Sequence, residues 1–278
     1  MNHHEGYFKN TQNQSVFHQH WIPDSAPRAI LLVCHGLNEH SGRYHHLAEY
    51  FTDKGFGVYG FDHIGHGKSD GTRSFVRDFP TFTDPILTYI DMIYEQHPDV
   101  PVFLVGHSLG GLIGASFLID HHERVSGAIL SGSLAMVPEY VSDLTIKIGT
   151  IISKVIPKTR LIGIDKSGLS RDPQVVTNYI NDPLVYNGKA TARISSVIND
   201  GISYVTEKGS SISKPILLLH GGQDRVSDPS SSTFLHNLVS SQHNQLIIYD
   251  ELFHEIYNEP EQKTVFTDVL NWLEGELG

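Results

Sequence analysis

A short apolar stretch followed by a glycine-flanked serine constrains the fold of this chain more than any other feature. Residues 102–105 favour a β-strand, the motif Gly106-His107-Ser108-Leu109-Gly110 follows, and residues 112–118 are apolar enough for a buried helix. A serine in so tight a strand-to-helix turn needs strained backbone dihedrals, and its glycine neighbours lie close to adjacent backbone. The pattern predicts a nucleophile, Ser108, whose hydroxyl stands clear of a sheet at a helix N-terminus.

Apolar runs alternate with helix-like segments on both sides of this motif. Strands are predicted over residues 29–34, 57–61, 125–131, 215–220 and 245–249, with an antiparallel strand over 14–21 before them. Helices are predicted over residues 44–54, 82–97, 230–240 and 261–276. Alternation at these lengths is typical of an α/β fold with a mostly parallel sheet and helices on both faces.

The alternation stops between residues 132 and 214. Helical spacing is visible over 140–156, 173–180 and 191–208, which predicts a helical insertion of the length of a lid over a site. We therefore divide the chain into an N-terminal part of the α/β core (1–131), a helical cap (132–214) and a C-terminal part of the core (215–278).

Charge and composition exclude several function classes. The 278 residues carry a formal net charge of -11, which disfavours nucleic acid and strongly anionic membranes as partners. The one cysteine fits a reducing compartment, the first residues lack the features of a signal peptide, and no apolar run approaches a membrane span. We expect a cytoplasmic protein. The histidines match no zinc spacing, so we expect neither a metal nor a cofactor.

A serine nucleophile needs a base to take its proton and a carboxylate to orient that base. On this type of turn the chain order is serine, acid, histidine. Asp224 follows the predicted strand 215–220, and His254 follows the strand 245–249, so both belong to loops at the carboxyl edge of the sheet. We predict a triad of Ser108, Asp224 and His254, with Asp228 as the alternative acid.

An oxyanion hole requires two backbone N–H groups aimed at the developing negative charge. One is expected from Leu109, the residue after the nucleophile. The other is expected from Leu37, in the His35-Gly36-Leu37 turn that follows the strand 29–34.

Three motifs together resemble the monoacylglycerol lipases of the α/β-hydrolase superfamily. They are the segment from His35-Gly36 to Glu39-His40-Ser41-Gly42-Arg43-Tyr44, the segment from Asp62-His63 to Gly71, and Gly106-His107-Ser108 with its glycines. The cap segments Leu169-Ser170-Arg171 and Tyr179 to Leu184 are similar to that family as well. The resemblance implies an α/β-hydrolase fold with an eight-stranded sheet, and the same triad and oxyanion donors.

The resemblance also implies that Glu39, Arg43 and Tyr179 help to bind the glycerol end of a monoacylglycerol, and we count His107 with them as a substrate-binding residue. For Glu39 and Arg43 the alternative is an exposed ion pair at the start of a helix, which contributes little. The first cap helix has an apolar stripe, formed by Leu144, Ile148, Ile151, Ile152 and Val155. It packs on the core, or it lines an acyl tunnel and a rim that faces lipid.

The residues thus predict a serine ester hydrolase that acts through an acyl-enzyme, and the resemblance implies that it cleaves monoacylglycerols to glycerol and a fatty acid. Its expected partners are a small lipid ester and, through the cap, a weak contact with a membrane or micelle surface. The alternatives are a lysophospholipase or a broad short-chain carboxylesterase and, from another class, a ligand-binding receptor that keeps the scaffold without catalysis.

Overall fold

The computed structural model describes residues 1–137, 141–163 and 165–278, which form an eight-stranded sheet flanked by helices. The strands of this sheet are β1 (Asn2–Lys9), β2 (Ser15–Ile22), β3 (Ile30–Cys34), β4 (Gly57–Phe61), β5 (Val102–His107), β6 (Gly127–Ser131), β9 (Ile216–Gly221) and β10 (Asn244–Tyr249). Their spatial order is β1-β2-β4-β3-β5-β6-β9-β10. In this spatial order, the last six strands (β4, β3, β5, β6, β9 and β10) run parallel. Within this sheet, only the pairings of β1 with β2 and of β2 with β4 are antiparallel. The predicted α/β-hydrolase sheet is confirmed.

Two apolar layers cover the faces of the sheet. Because side chains alternate along a strand, Ile30 and Leu32 of β3 join the layer under one set of helices, and Leu31 and Val33 join the layer under the other. The first layer includes residues of α2 (Pro80–Gln96), α3 (Leu109–His121) and α7 (Ser230–Leu238), and the second those of α1 (His45–Thr52) and α8 (Gln262–Leu277). Strands buried on both faces explain the continuous apolar runs of the sequence.

The strand β1 was not predicted. It is an edge strand that pairs with β2 from Asn2 opposite Ile22 to Lys9 opposite Ser15, and only Phe8 of its side chains is buried. Its polar, histidine-rich sequence lacks the alternation that marks a half-buried strand, although His3 stacks on Trp21 and Phe8 stacks on Tyr89.

The insertion contains α4 (Asp143–Val155), α5 (Pro173–Asn181) and α6 (Ala192–Lys208), with a small antiparallel pair, β7 (Arg160–Ile162) and β8 (Ala190–Thr191). Helix α6 packs on the core through Ile194, Val197 and Val205. Helix α4 contacts α6 but turns much of its apolar stripe to solvent. Leu144, Ile148, Ile151 and Val155 are 49–74% exposed, so the alternative in which the stripe packs on the core is wrong for these four residues.

Candidate active site

Ser108 occupies the turn between β5 and α3 in a conformation that few residues other than glycine adopt. Its φ is 55° and its ψ is -114°, and its amide donates to the carbonyl oxygen of Ser131 over 2.8 Å. The turn is possible because no Cβ stands at Gly106 or Gly110. A Cβ at Gly106 would lie 2.4 Å from the carbonyl oxygen of Gly110, and one at Gly110 would lie 1.8 Å from that of Cys34. Such strain at a serine between a strand and a helix is typical of a nucleophile.

Asp224 and His254 meet at the carboxyl edge of the sheet, where the loops after β9 and β10 lie side by side. The Nδ1–H of His254 donates to Oδ2 of Asp224 over 2.6 Å. The other carboxylate oxygen accepts the backbone N–H groups of Val226 and Ser227, at 2.7 and 2.9 Å. Asp228 instead accepts from the backbone of Ser230 at the start of α7 and is exposed. The carboxylate that His254 contacts is therefore that of Asp224.

Burial and charge act in opposite directions on this pair. Burial alone would lower the pKa of His254, but the Asp224 carboxylate raises it above the usual histidine value, both as a charge and as a hydrogen-bond acceptor. Burial would likewise raise the pKa of Asp224, but the charge of His254 and the hydrogen bonds from His220 and His254 lower it. Because Nδ1 carries the proton, Nε2 of His254 keeps its lone pair free to accept one.

Ser108 and His254 lie on the wall of one small cavity, together with Gly36, Leu37 and His107. The rings of His107 and His254 are 4.7 Å apart. The turn that contains Leu37 lies against the nucleophile, since a Cβ built on Gly36 would be 3.3 Å from the Cβ of Ser108. Leu109 is the first residue of α3, where backbone N–H groups have no partner within the helix. The backbone of both predicted oxyanion donors is thus beside Ser108.

The predicted substrate-binding residues divide into two groups. Glu39, His107 and Tyr179 line the small cavity. Arg43 lies behind this wall, with its guanidinium 4.7 Å from the centre of the Tyr179 ring and paired with Glu39 and Glu255. Glu39 and Arg43 form a buried ion pair. The alternative interpretation, an exposed ion pair at the start of a helix, is therefore wrong.

Two residues of the site were missed at the level of sequence. Glu255 lines the cavity beside His254 and forms a bidentate pair with Arg43, and buried His220 donates to Asp224. Each lies next to a predicted residue, Glu255 directly after the base and His220 at the end of the strand that precedes the acid. Their positions are the only sequence signal.

A second, larger cavity of about 430 Å³ lies between α4, α6 and the segment after β6. Leu37 belongs to the walls of both cavities, so they adjoin beside Ser108. The large cavity is predominantly apolar, with walls from α4, α6 and the segment after β6 that include Leu134, Ile152, Ile198 and Ile202. Its volume is within the range of small-molecule sites.

Within residues 1–137, 141–163 and 165–278, no three histidine, cysteine or acidic side chains come together in a way that could hold a metal ion. Over the same ranges, no helix has the length and hydropathy needed to cross a bilayer.

The chain is similar over most of its length to proteins of known family. The model of the family described as "Serine aminopeptidase, S33" matches residues 25–261. A monoacylglycerol lipase of Mycolicibacterium smegmatis is 35% identical over 92% of each chain, and a mouse monoglyceride lipase is 33% identical over 95% of this chain and 88% of its own. The crystal structure of a monoacylglycerol lipase of Paleococcus ferrophilus superposes with a TM-score of 0.81 at 27% identity, over 99% of this chain and 100% of that one. The chain therefore belongs to the monoacylglycerol lipase family of the α/β-hydrolase superfamily.

Proposed function

We propose that this protein hydrolyses the ester bond of monoacylglycerols, with Ser108 as nucleophile, His254 as base and Asp224 as the carboxylate that orients the base. The observation that carries the proposal is the hydrogen bond from His254 to Asp224 on the wall that also presents the strained Ser108. The names of the relatives supply the substrate class.

The reaction follows from the positions of these groups. Ser108 Oγ attacks the ester carbonyl while Nε2 of His254 takes the hydroxyl proton, and the backbone N–H groups of Leu37 and Leu109 stabilise the oxyanion. The tetrahedral intermediate collapses, the C–O bond to glycerol breaks, and the imidazolium gives its proton to the glycerol oxygen. Water then attacks the acyl-enzyme by the same steps, with His254 again as base, and the fatty acid leaves.

The two cavities suit the two ends of this substrate. The large apolar cavity would hold the acyl chain, and the small cavity, with Glu39, His107, Tyr179 and Glu255 on its wall, would hold the glycerol hydroxyls. Because the cavities adjoin at Leu37, the ester carbonyl would lie beside Ser108 and the proposed oxyanion donors.

The first test is Ser108→Ala. It should reduce the hydrolysis of a long-chain monoacylglycerol to less than about a thousandth of the wild-type rate while circular dichroism remains unchanged. Retention of a larger fraction of the wild-type rate would refute the assignment of the nucleophile.

Labelling of the wild-type protein by a fluorophosphonate, without turnover of any ester, would favour a ligand-binding receptor.

A panel of esters separates the alternatives within the class. Monoacylglycerols of increasing chain length, a lysophospholipid and p-nitrophenyl esters would be compared by kcat/KM. A preference for monoacylglycerols supports the proposal, whereas a preference for the lysophospholipid or for short acyl chains would replace it with one of the two alternatives.

We also propose that residues 132–214 act as a cap whose α4 touches lipid surfaces. The exposed apolar side chains Leu144, Ile148, Ile151 and Val155 are accompanied by exposed Lys147, Lys154, Lys158 and Arg160. The cap contains 10 of the 20 lysines and arginines but only seven of the 31 acidic residues, so its net charge is opposite to that of the chain. An apolar face with flanking cations favours an anionic lipid surface, contrary to the expectation from net charge alone. The single cysteine supports a cytoplasmic location for this contact.

Co-sedimentation with phosphatidylcholine vesicles, with and without anionic lipid, tests whether α4 binds lipid surfaces. Ile151→Glu should reduce binding severalfold and leave the hydrolysis of a dissolved short-chain ester unchanged. Tyr7→Glu, at an exposed residue of the distant strand β1, is the matched control and should bind like the wild type. Equal binding by both variants would reject α4 as the contact.

A further inference from the structure

Arg43 is a buried cation held between two carboxylates from distant parts of the chain. Its Nη1 donates to Oε2 of Glu39 and to Oε1 of Glu255, both over 2.7 Å, and its Nη2 donates to Oε2 of Glu255 over 2.6 Å. The three side chains are 4–11% exposed. The Tyr179 ring covers one face of the guanidinium at 4.7 Å. Planar guanidinium suits such a bidentate contact, and lysine cannot reproduce it.

Each carboxylate belongs to a different loop of the proposed reaction centre. Oε1 of Glu39 accepts the backbone N–H of Gly36 over 2.6 Å, directly before Leu37, and it also accepts the hydroxyl of Tyr44 over 2.9 Å. Glu255 directly follows His254, and Asn258 donates to its Oε2 over 3.0 Å. The contact of Arg43 with Glu255 spans 212 positions of sequence and therefore joins the oxyanion turn to the loop that carries the base.

We infer that Arg43 is a positioning residue that, through Glu39 and Glu255, fixes the oxyanion turn and the base loop relative to each other. The inference rests on the proposed function. It assigns to Glu255, which no sequence motif singled out, the role of the anchor on the base side. It also gives Tyr179 of the cap a part in the arrangement, since its ring covers the guanidinium.

The alternative role for Arg43 is direct contact with glycerol, as the family resemblance implies. Three donor contacts of the guanidinium are already made to carboxylates, and Tyr179, Glu39 and Glu255 stand between Arg43 and the cavity that holds Ser108. A buried cation with three such contacts is suited to hold two loops together, because breaking one of its pairs would leave a buried charge uncompensated.

The same network sets charge around the base. His254 is faced by the carboxylates of Asp224, Glu255 and Glu39, all of which raise its pKa, and by the ring of His107. The single positive charge of Arg43 balances only part of the negative charge of Glu39 and Glu255. Removing Arg43 and removing the charge of Glu255 should therefore displace the pKa of His254 in opposite directions.

The test compares Arg43→Met, Arg43→Lys and Glu255→Gln with the wild type on two substrates that share one acyl chain. One is a monoacylglycerol, and the other is a p-nitrophenyl ester without glycerol. Arg28→Met is the matched control, because Arg28 makes a bidentate pair with Glu274 on the surface. Sites competent for reaction would be counted by end-point labelling with a fluorophosphonate, and rates would be expressed per labelled site.

A positioning role predicts a loss in kcat of about a hundredfold for Arg43→Met on both substrates, with little change in KM, since small displacements of reacting groups have effects of this size. The rate of fluorophosphonate labelling should fall in parallel. Arg43→Lys should recover part of kcat, and Arg28→Met should behave as the wild type. A loss confined to the monoacylglycerol and expressed in KM would overturn the inference in favour of glycerol binding.

The pH dependence of kcat/KM supplies a readout that a merely structural role would not move. His254 must be neutral to act as base, so the acid limb reports its pKa in the free enzyme. The limb should move to lower pH in Glu255→Gln, to higher pH in Arg43→Met, and stay in place in Arg43→Lys. If the acid limb of Glu255→Gln and Arg43→Met stays at the wild-type pH and both variants keep wild-type rates, the inference is refuted. If Arg43→Met does not fold, Glu255→Gln, which keeps the shape of the side chain, decides the question.

Failure of the proposed function is distinguishable from failure of this inference. If the wild type is labelled by the fluorophosphonate but hydrolyses neither ester, the proposed function fails. The labelling rates of the variants, and their pH dependence, still decide whether Arg43 positions the two loops.

Discussion

The imidazole of His220 donates its Nε2–H to Oδ2 of Asp224 over 3.0 Å, the same oxygen that accepts from His254 over 2.6 Å. Nδ1 of His220 accepts the hydroxyl of Ser232 over 2.7 Å, which fixes the ring and its tautomer. The carboxylate is therefore held from the side of β9 as well as by its own loop. His254 meets an acceptor whose orientation is already fixed.

Replacement of His220 by leucine should weaken both stability and catalysis. The change removes a donor to Asp224 and leaves the buried hydroxyl of Ser232 without its partner, which should lower the free energy of unfolding by about 1–3 kcal/mol. It should also lower kcat, because Asp224 can turn away from His254. Urea denaturation and steady-state kinetics measure the two effects. His236→Leu, at a histidine that contacts Asn244 away from the site, is the control for kcat; equal kcat in both variants would contradict the role given to His220.

Three buried histidines behind the oxyanion turn should make the fold sensitive to acid. The rings of His35 and His63 are 4.2 Å apart, and those of His35 and His66 are 5.4 Å apart. Burial is the largest cause that lowers the pKa of His63 to about 3 and that of His66 to about 4. Hydrogen bonds to the carbonyl oxygens of His35 and Ile64 oppose this lowering in part, and the histidines of an unfolded chain have a pKa near 6.5. As pH falls below 6.5, the unfolded chain takes up protons that the folded one refuses, so stability falls with pH.

The variant His66→Gln isolates one of these contributions. Between about pH 7 and pH 4 it should lose less unfolding free energy than the wild type, by on the order of 3 kcal/mol, because one group no longer takes up a proton on unfolding. Urea denaturation at several pH values measures the difference. The same change at the exposed His122 is the control. Identical pH dependence in His66→Gln and the wild type would count against this account.

Gly110 should not accept even a methyl group. A Cβ there would approach the carbonyl oxygen of Cys34 to 1.8 Å, and backbone cannot move aside as a side chain can. Gly110→Ala should lower the unfolding free energy by at least about 3 kcal/mol or prevent folding. Gly275→Ala, at an exposed site of α8 with nothing within 4 Å, should raise it by about 0.5–1 kcal/mol. Thermal melts of the two variants measure the contrast, and similar melting temperatures would disprove the close approach at Gly110.

Local pattern predicted most of the fold because buried strands and amphipathic helices leave periodic signals. The predicted strand over 57–61 coincides with β4, and the predicted helix over 173–180 differs from α5 by one residue. Edge strand β1 left no such signal. The contact of Asp224 with His254 was predictable because topology places loops after parallel strands at one edge.

Contacts between side chains were harder to predict than the fold. The pairing of Arg43 with Glu255 depends on which side chains meet after the sheet has formed, and no periodicity encodes it. The stripe of α4 shows a second limit, since helical spacing of Ile148 and Ile151 indicates an apolar face without indicating whether protein, ligand or lipid covers it.

The large cavity predicts how acyl-chain preference can be changed. Ile198 lies on its wall from α6, so Ile198→Trp should fill part of the space and lower kcat/KM for a long-chain monoacylglycerol by roughly tenfold or more. The kcat/KM for monobutyrylglycerol should be almost unchanged, because so short an acyl chain remains near Leu37. Ser203→Trp, on the solvent side of the same helix, controls for the bulk of the new side chain. A chain-length series of kcat/KM measures the effect, and an equal loss on long and short esters would show that the acyl chain does not enter this cavity.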